Sequence, residues 1–168
     1  MNRGLRILKH RWFAEGDARR ALGDGALERL RQRVAAGEKT HSGEIRLCIE
    51  AGLPLSYLLR NAPVRERALA LFGKLRVWDT EHNNGVLIYL LLAEHRIEIV
   101  ADRGLARQVD AAHWRALADT MAQAFREQRF EAGLEQAIDA VSAALAAHFP
   151  LAEGQVNPNE LPDEAALG

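Results

Sequence analysis

Residues Val86-Leu87-Ile88-Tyr89-Leu90-Leu91-Leu92 form a run in which every side chain is β-branched, aromatic or large and apolar. This composition is typical of a central strand whose two faces are both covered. Glu94-His95 follows as a tight turn and leads into the stretch 96–101. Because so few residues separate the two stretches, we expect them to pair as an antiparallel hairpin.

A further strand is predicted upstream of this hairpin. Residues 44–50 place Ile45, Leu47 and Ile49 on one face of an extended segment. Pro63 suits the first turn of a helix that continues to about residue 77. Since a helix separates the strands at 44–50 and 86–92, we expect those strands to be parallel.

Three further helices are predicted from apolar residues that recur every three or four positions. One precedes the first strand and two follow the hairpin. Their apolar faces consist of Leu27, Leu30 and Val34, of Trp114, Leu117, Met121 and Phe125, and of Phe130, Leu134, Ile138, Val141, Leu145 and Phe149. The predicted order is helix, strand, helix, strand, strand, helix, helix. It indicates an α/β protein, a three-layer α/β/α sandwich around a small mixed sheet.

Composition narrows the class of protein. A chain of 168 residues suits one domain, and 22 basic against 23 acidic residues give a net charge of −1. This balance lacks the basic excess of a nucleic-acid-binding protein. The one cysteine, Cys48, excludes an internal disulfide and is interpreted as a small buried apolar residue.

The two ends differ in character from the middle of the chain. We divide it into a basic amphipathic segment at 1–20, a domain at 21–150 and an acidic, proline-containing tail at 151–168. The tail is expected to be an extended strap or disordered. Leu5, Leu8 and Trp12 have helical spacing, so residues 1–13 could contact a membrane surface or a partner, or pack on their own domain.

No apolar run has the length of a membrane helix. The longest, 86–93, has eight residues, and the N-terminus lacks the unbroken apolar stretch of a secretory signal. We therefore expect a cytoplasmic protein.

Polar side chains should gather at one edge of the sheet. The second strand starts near Asn84, the third returns to end at Asp102, and the first, being parallel to the second, starts at Glu44. Carboxylate and carbonyl oxygens are the ligands of Ca²⁺ and Mg²⁺. The predicted metal ligands are Asp79, Glu81, Asn84 and Asp102, with Glu44, Asn83 and His82 as possible additions.

The same residues also have an interpretation without a metal. Asp79 and Thr80 could cap a turn, Asn84 before Gly85 could supply a left-handed residue, and Asp102 could close a turn through nearby backbone. The sequence leaves both interpretations open.

Several of these segments resemble the TPM domain. They are Asn83-Asn84-Gly85-Val86-Leu87-Ile88-Tyr89, Arg96-Ile97-Glu98-Ile99-Val100-Ala101-Asp102-Arg103-Gly104, and Phe125 through Phe130-Glu131-Ala132-Gly133. The resemblance covers roughly residues 24–150. It implies an α/β/α sandwich, binding of a divalent metal that is often calcium, and an acid phosphatase activity reported for some members.

The N-terminal half and the tail also resemble a stand-alone bacterial subtype. The segments are His41-Ser42-Gly43-Glu44-Ile45-Arg46 and Asn159-Glu160-Leu161-Pro162-Asp163. This subtype accompanies LemA-type membrane proteins, so such a partner is implied. Our leading hypothesis is a non-enzymatic regulatory or adaptor protein that acts through protein contacts near the membrane, with an optional divalent metal at the sheet edge. The alternative is a metal-dependent acid phosphatase, and the sequence leaves open whether the protein is an enzyme.

Overall fold

A four-stranded mixed sheet forms the centre of the molecule. The computed structural model describes residues 3–12 and 17–168. The strands lie in the order β3-β2-β1-β4. Their bounds are Glu44–Glu50 for β1, Gly85–Leu91 for β2, Arg96–Ala101 for β3 and Ala166–Leu167 for β4.

The strand directions agree with the predicted topology. β1 runs parallel to β2 with Glu44 opposite Gly85, and β2 pairs antiparallel with β3 with Val86 opposite Ala101. A short 3-10 turn, Leu92–Glu94, connects the hairpin and ends at His95 in the left-handed region. The predicted hairpin and the predicted parallel pair are both confirmed.

Eight α-helices surround the sheet in the described part of the chain. They are α1 (Arg3–Arg11), α2 (Asp17–Leu22), α3 (Ala26–Gly37), α4 (Leu55–Leu59), α5 (Val64–Lys74), α6 (Arg103–Ala106), α7 (Ala111–Arg126) and α8 (Phe130–His148). None of these described helices is both long and apolar enough to cross a bilayer.

Each face of the sheet has its own apolar core. Ile45, Leu47 and Ile49 of β1 pack with α2, α3, α7 and α8, as their alternation predicted. Cys48 and Leu87 lie in the opposite core, with residues of α4 and α5. Helices therefore cover both faces, and the predicted α/β/α sandwich is confirmed.

The buried position of Cys48 also follows the prediction. Burial raises the pKa of its thiol to about 12, so the thiol stays protonated near neutral pH. The structure thus assigns Cys48 to the core.

The described part of the chain contains more helices and strands than the seven predicted elements. The predicted order is present, but α1, α2, α4, α6 and β4 add to it. The helix expected to extend to about residue 77 ends at Lys74, and Leu75 follows as its C-cap. Helices of 4 to 6 residues and a two-residue strand have too little periodicity to show in a sequence, whereas the spacing of Leu5, Leu8 and Trp12 does indicate α1.

Residues 151–168 form an extended strap across β1. Asn157 Nδ2 donates to the carbonyl oxygens of His41 and Gly43, at 2.9 and 3.1 Å. Leu161 is buried in the core beside α5. The strap ends in β4, where the N–H of Gly168 donates to the Ile49 carbonyl at 3.1 Å. Of the two expectations for the tail, the structure has the strap.

Candidate functional site at the sheet edge

One hydrogen bond joins the start of β2 to the residue that follows β3 at the edge of the sheet. The N–H of Asp102 donates to the Gly85 carbonyl at 2.9 Å, one step beyond the last pair of the β2–β3 ladder. Glu44 lies opposite Gly85 on the other side of β2. The prediction that Glu44, Asn84 and Asp102 lie at the same edge is therefore confirmed. We call this region, residues 78–85 with Glu44 and Asp102–Gly104, the edge cluster.

Asp102 has one engaged carboxylate oxygen and one unengaged. Oδ1 accepts a hydrogen bond from the Arg103 N–H at 2.7 Å and so caps α6. Oδ2 is buried and has no hydrogen-bond partner among the described residues. A buried carboxylate oxygen without a partner is costly, so this atom is available to a ligand.

The loop before β2 is held by its own backbone and by Thr80. The hydroxyl of Thr80 accepts from the Asn84 N–H at 3.1 Å, and the Thr80 carbonyl accepts from the Asn83 N–H at 3.2 Å. The left-handed residue of this turn is Asn83, with φ of 52°, and not Asn84 as expected. Asn84 instead is buried, and its Nδ2 donates to Ser42 Oγ at 3.4 Å.

Gly104 lets α6 approach this loop closely. A Cβ at Gly104 would lie 2.5 Å from the Asn83 carbonyl oxygen and 2.6 Å from that of His82. The Gly104 N–H donates to the Asn83 carbonyl at 2.8 Å. The side chain of Arg103 reaches the same residue, donating to Asn83 Oδ1 at 3.1 Å. Arg103 and Gly104 were not among the predicted site residues, although both belong to the segment that carries the family resemblance.

The remaining predicted ligands point elsewhere. Asp79 has a half-exposed side chain whose charged neighbour is Arg76, at 3.9 Å. Glu81 is exposed, and its N–H donates to the carboxylate of Glu160 on the strap at 2.9 Å. His82 is exposed as well.

The acidic residues of the cluster do not form a ready-made cage. In the part of the chain that the structure describes, no three His, Cys, Asp or Glu side chains are grouped so that they could hold a metal ion. Asp79, Glu81 and Asp102 are thus not brought together. A cation at Asp102 would draw its other ligands from amide and backbone carbonyl oxygens and from water, which Ca²⁺ and Mg²⁺ accept. Metal binding stays a prediction.

Glu44 contributes a second unsatisfied oxygen. Its Oε2 accepts from the Leu161 N–H of the strap at 3.2 Å, while Oε1 is buried without a partner among the described residues. Burial raises the pKa of the Glu44 carboxyl, and the nearby charge of Glu160 adds to the increase. Glu44 is therefore biased toward its neutral form.

The fold and this edge define a class of small α/β/α domains. In this class a polar loop precedes the buried central strand, here β2. An aspartate that caps a helix follows the strand paired with it in the hairpin, here β3. A family model for the TPM domain matches residues 17–144, and the chain belongs to the TPM domain family.

Solved structures support the same assignment of the fold. The BA42 protein of the psychrophilic bacterium Bizionia argentinensis has a TM-score of 0.74 and 27% identity, over 87% of this chain and 94% of that one. The N-terminal domain of a P. gingivalis protein has a TM-score of 0.63 and 20% identity, over 82% of this chain and 90% of that one. Among curated proteins, none matches the chain.

Proposed function

We propose that the edge cluster binds a divalent cation, Ca²⁺ or Mg²⁺, and that the chain is a non-enzymatic regulatory or adaptor protein whose contacts this cation controls. The observation that carries the proposal is the buried, unpartnered Oδ2 of Asp102. A hard cation would satisfy that oxygen, and the amide oxygen of Asn84 and backbone carbonyls would complete a mixed oxygen shell. Asp79 and Glu81, whose side chains are exposed, could join after a change in the loop.

Trp78 gives the cluster a surface through which a cation could act on a partner. It immediately precedes the polar loop, and its ring is about half exposed, with Nε1 donating to the Gly73 carbonyl at 3.4 Å. Exposed tryptophans are frequent anchors in protein interfaces. Ordering of the loop by a cation would therefore change how Trp78 is presented.

Calorimetry with Ca²⁺ and Mg²⁺ tests the cation site. The variant is Asp102→Asn, which keeps an acceptor for the Arg103 N–H while removing the charge. Asp110→Asn is the matched control, because Asp110 caps α7 in the same way, with Oδ1 accepting from the Ala112 N–H at 2.9 Å, outside the cluster. We expect Asp102→Asn to weaken binding at least about tenfold and Asp110→Asn to leave it unchanged. A wild-type chain that takes up neither metal at millimolar concentration would refute the proposal.

The adaptor role is tested with a protein partner. A LemA-type membrane protein is the partner that the family resemblance proposes. We expect its soluble part to bind this chain more tightly in the presence of the cation than with a chelator, and Trp78→Ala to weaken that binding. Equal affinity in both conditions would contradict control by the cation.

A metal-dependent phosphatase is the second candidate, and one feature favours it. The exposed guanidinium of Arg103 donates to Asn83 Oδ1, while the backbone N–H of the same residue donates to the Asp102 carboxylate. Arginine is a preferred ligand of phosphate oxygens. A cation on Asp102 could then hold a phosphomonoester together with Arg103. Metal-dependent turnover of p-nitrophenyl phosphate that is lost in Asp102→Asn and Arg103→Ala, but kept in Asp110→Asn, would replace the adaptor role by this one.

A further inference from the structure

Helix α1 packs on the domain through polar side chains and exposes apolar ones. Its polar residues Arg6 and His10 are buried, with 7% and 4% of their surface exposed. Leu5 and Leu8 of the helix, and Trp12 directly after it, are 62%, 56% and 80% exposed, while Ile7 packs partly buried against the domain. An isolated exposed leucine needs no explanation, but a helix that buries its charges and exposes its apolar stripe does.

The buried polar side is specifically bonded. Arg6 Nε donates to Glu94 Oε1 at 2.7 Å, and its Nη1 donates to the Ala62 carbonyl at 2.8 Å. His10 Nδ1 accepts from the Leu53 N–H at 2.9 Å, so its Nε2 carries the ring proton and faces Glu94 Oε1 at 3.0 Å. These bonds hold the helix in one rotational orientation, with the opposite face turned outward.

The outward face combines an apolar stripe with positive charge. Leu5, Leu8 and Trp12 follow one another at intervals of three and four residues, which places them on one side of the helix. Lys9 and Arg11 are exposed and flank this stripe, whereas Arg3 is exposed in the first turn on the side of Arg6 and His10.

Among the described residues, none forms an ion pair with the exposed basic side chains of α1, Arg3, Lys9 and Arg11. The sequence has no acidic residue before Glu15. Since residues 1–14 contain four basic and no acidic residues while the whole chain has a net charge of −1, the N-terminal segment is a basic region on a chain whose remainder is net acidic.

We propose that α1 docks the domain on an anionic lipid surface, with Leu5, Leu8 and Trp12 inserted at the level of the headgroups and Lys9 and Arg11 on the lipid phosphates. Leucine and tryptophan facing the acyl boundary and basic residues beside them are the features of helices that lie in a membrane interface. Charge complementarity favours a lipid surface over a protein partner, because an anionic bilayer offers negative charge to all of the outward basic side chains at once.

Two further leucines lie on a neighbouring element. α4 contacts α1, and its Leu55 and Leu59 have about half of their surface exposed. The proposed lipid contact of α1 is independent of the edge cluster. Helix α1 is held by Glu94, which lies at the other end of β2 from Asn84.

Flotation of the full chain with vesicles tests the proposal. The vesicles are phosphatidylcholine alone, or with roughly a third of phosphatidylglycerol to supply negative charge. The test variant combines Leu5→Ser, Leu8→Ser and Trp12→Ser. The matched control combines Leu69→Ser and Val156→Ser, which are exposed apolar residues outside α1. Neither variant removes a buried side chain, so both should fold.

We expect the wild type and the control to bind the anionic vesicles, and the triple variant to bind at least about tenfold more weakly. Lys9→Glu with Arg11→Glu, or 0.5 M salt, should also reduce binding, because exposed charges are screened at that ionic strength. Equal binding of the triple variant and the wild type would overturn the proposal. The wild type could instead bind neither kind of vesicle and self-associate, while the triple variant stays monomeric. That result would overturn the proposal in favour of a protein interface formed by this stripe.

Discussion

The carboxylate of Glu94 receives hydrogen bonds from both Arg6 and His10, at 2.7 and 3.0 Å, and so joins the end of the β2–β3 hairpin to the N-terminal helix. The pair Arg6–Glu94 is largely buried, which makes it stronger than a surface ion pair of the same length. Together with the bonds from Arg6 to the Ala62 carbonyl and from the Leu53 N–H to His10, this contact sets which side of α1 faces the domain. These bonds therefore also decide that the apolar side faces outward.

Removal of the Glu94 charge should loosen α1 in a pH-dependent way. Burial alone would raise the pKa of Glu94, but hydrogen bonds from His10 and Arg6 outweigh it and lower the pKa from 4.5 to about 2. A lowered carboxyl pKa stabilises the folded state above about pH 4.5, and that stabilisation disappears as the pH falls through about 2. We expect Glu94→Gln to cost about 2 kcal/mol at pH 7 and progressively less toward pH 2, measured by urea unfolding.

Glu131→Gln is the control for this prediction, because Glu131 pairs with Arg29 at the surface and its loss should cost less than about 1 kcal/mol. A cost for Glu94→Gln that is independent of pH would contradict the assignment.

The close contact at Gly104 should not tolerate a methyl group. A Cβ there would meet the carbonyl oxygens of His82 and Asn83, which are backbone atoms and cannot rotate away. We expect Gly104→Ala to lower the free energy of unfolding by about 1–3 kcal/mol and to weaken cation binding at the edge cluster. Thermal unfolding and calorimetry measure the two effects.

Gly73→Ala is the matched control for Gly104→Ala. Gly73 lies in α5, and a Cβ there would have no atom within 4 Å. This variant should be more stable by roughly 0.5–1 kcal/mol, because alanine loses less entropy in a helix than glycine. If both variants lost the same stability, the close approach at Gly104 would not be the cause.

The buried carboxyl of Glu38 should make the protein less stable at alkaline pH. Burial is the main cause that raises its pKa from 4.5 to about 8, with a smaller contribution from Glu44 and Asp163. The folded state therefore binds a proton that the unfolded state releases, so stability declines as the pH rises from about 4.5 to about 8.

In Glu38→Gln the side chain is always neutral and can still accept from the Ile45 N–H, as Glu38 does at 3.1 Å. We expect the melting temperature of the wild type to fall several degrees more than that of Glu38→Gln between roughly pH 5 and pH 9. Glu153→Gln, an exposed position, should follow the wild type. Parallel curves for wild type and Glu38→Gln would rule out this role of Glu38.

The C-terminal strap should contribute to stability through Leu161. This residue is buried in the core formed with Val64, Ala68 and Leu71 of α5. We expect Leu161→Ala to cost about 2–4 kcal/mol in urea unfolding, because it leaves a cavity. Val156→Ala, on the exposed part of the strap, should change stability by less than about 0.5 kcal/mol. Comparable effects of the two would mean that the strap is not anchored by Leu161.

The candidate site was only partly predictable. Topology placed Glu44, Asn84 and Asp102 at one edge, since parallel strands begin at the same edge and a hairpin returns to it. The side-chain directions were not predictable, and Asp79 lies beside Arg76 while the Glu81 N–H faces Glu160 of the strap. Those contacts depend on segments that are close in space but up to 79 residues apart in the chain.

The sequence by itself determined β1, β2 and β3, the hairpin and the layers of this protein. The continuous apolar run at 86–92 required cover on both faces. The spacings in α3, α7 and α8 predicted the cover of one face and the helix that begins near Pro63 that of the other, because periodicity records which side of an element is buried. Tertiary structure alone decided the pairing of β4 with β1, the course of the strap and the orientation of α1. These features depend on hydrogen bonds between distant backbone and polar groups. Such bonds satisfy buried donors and acceptors without leaving a repeating pattern in the chain.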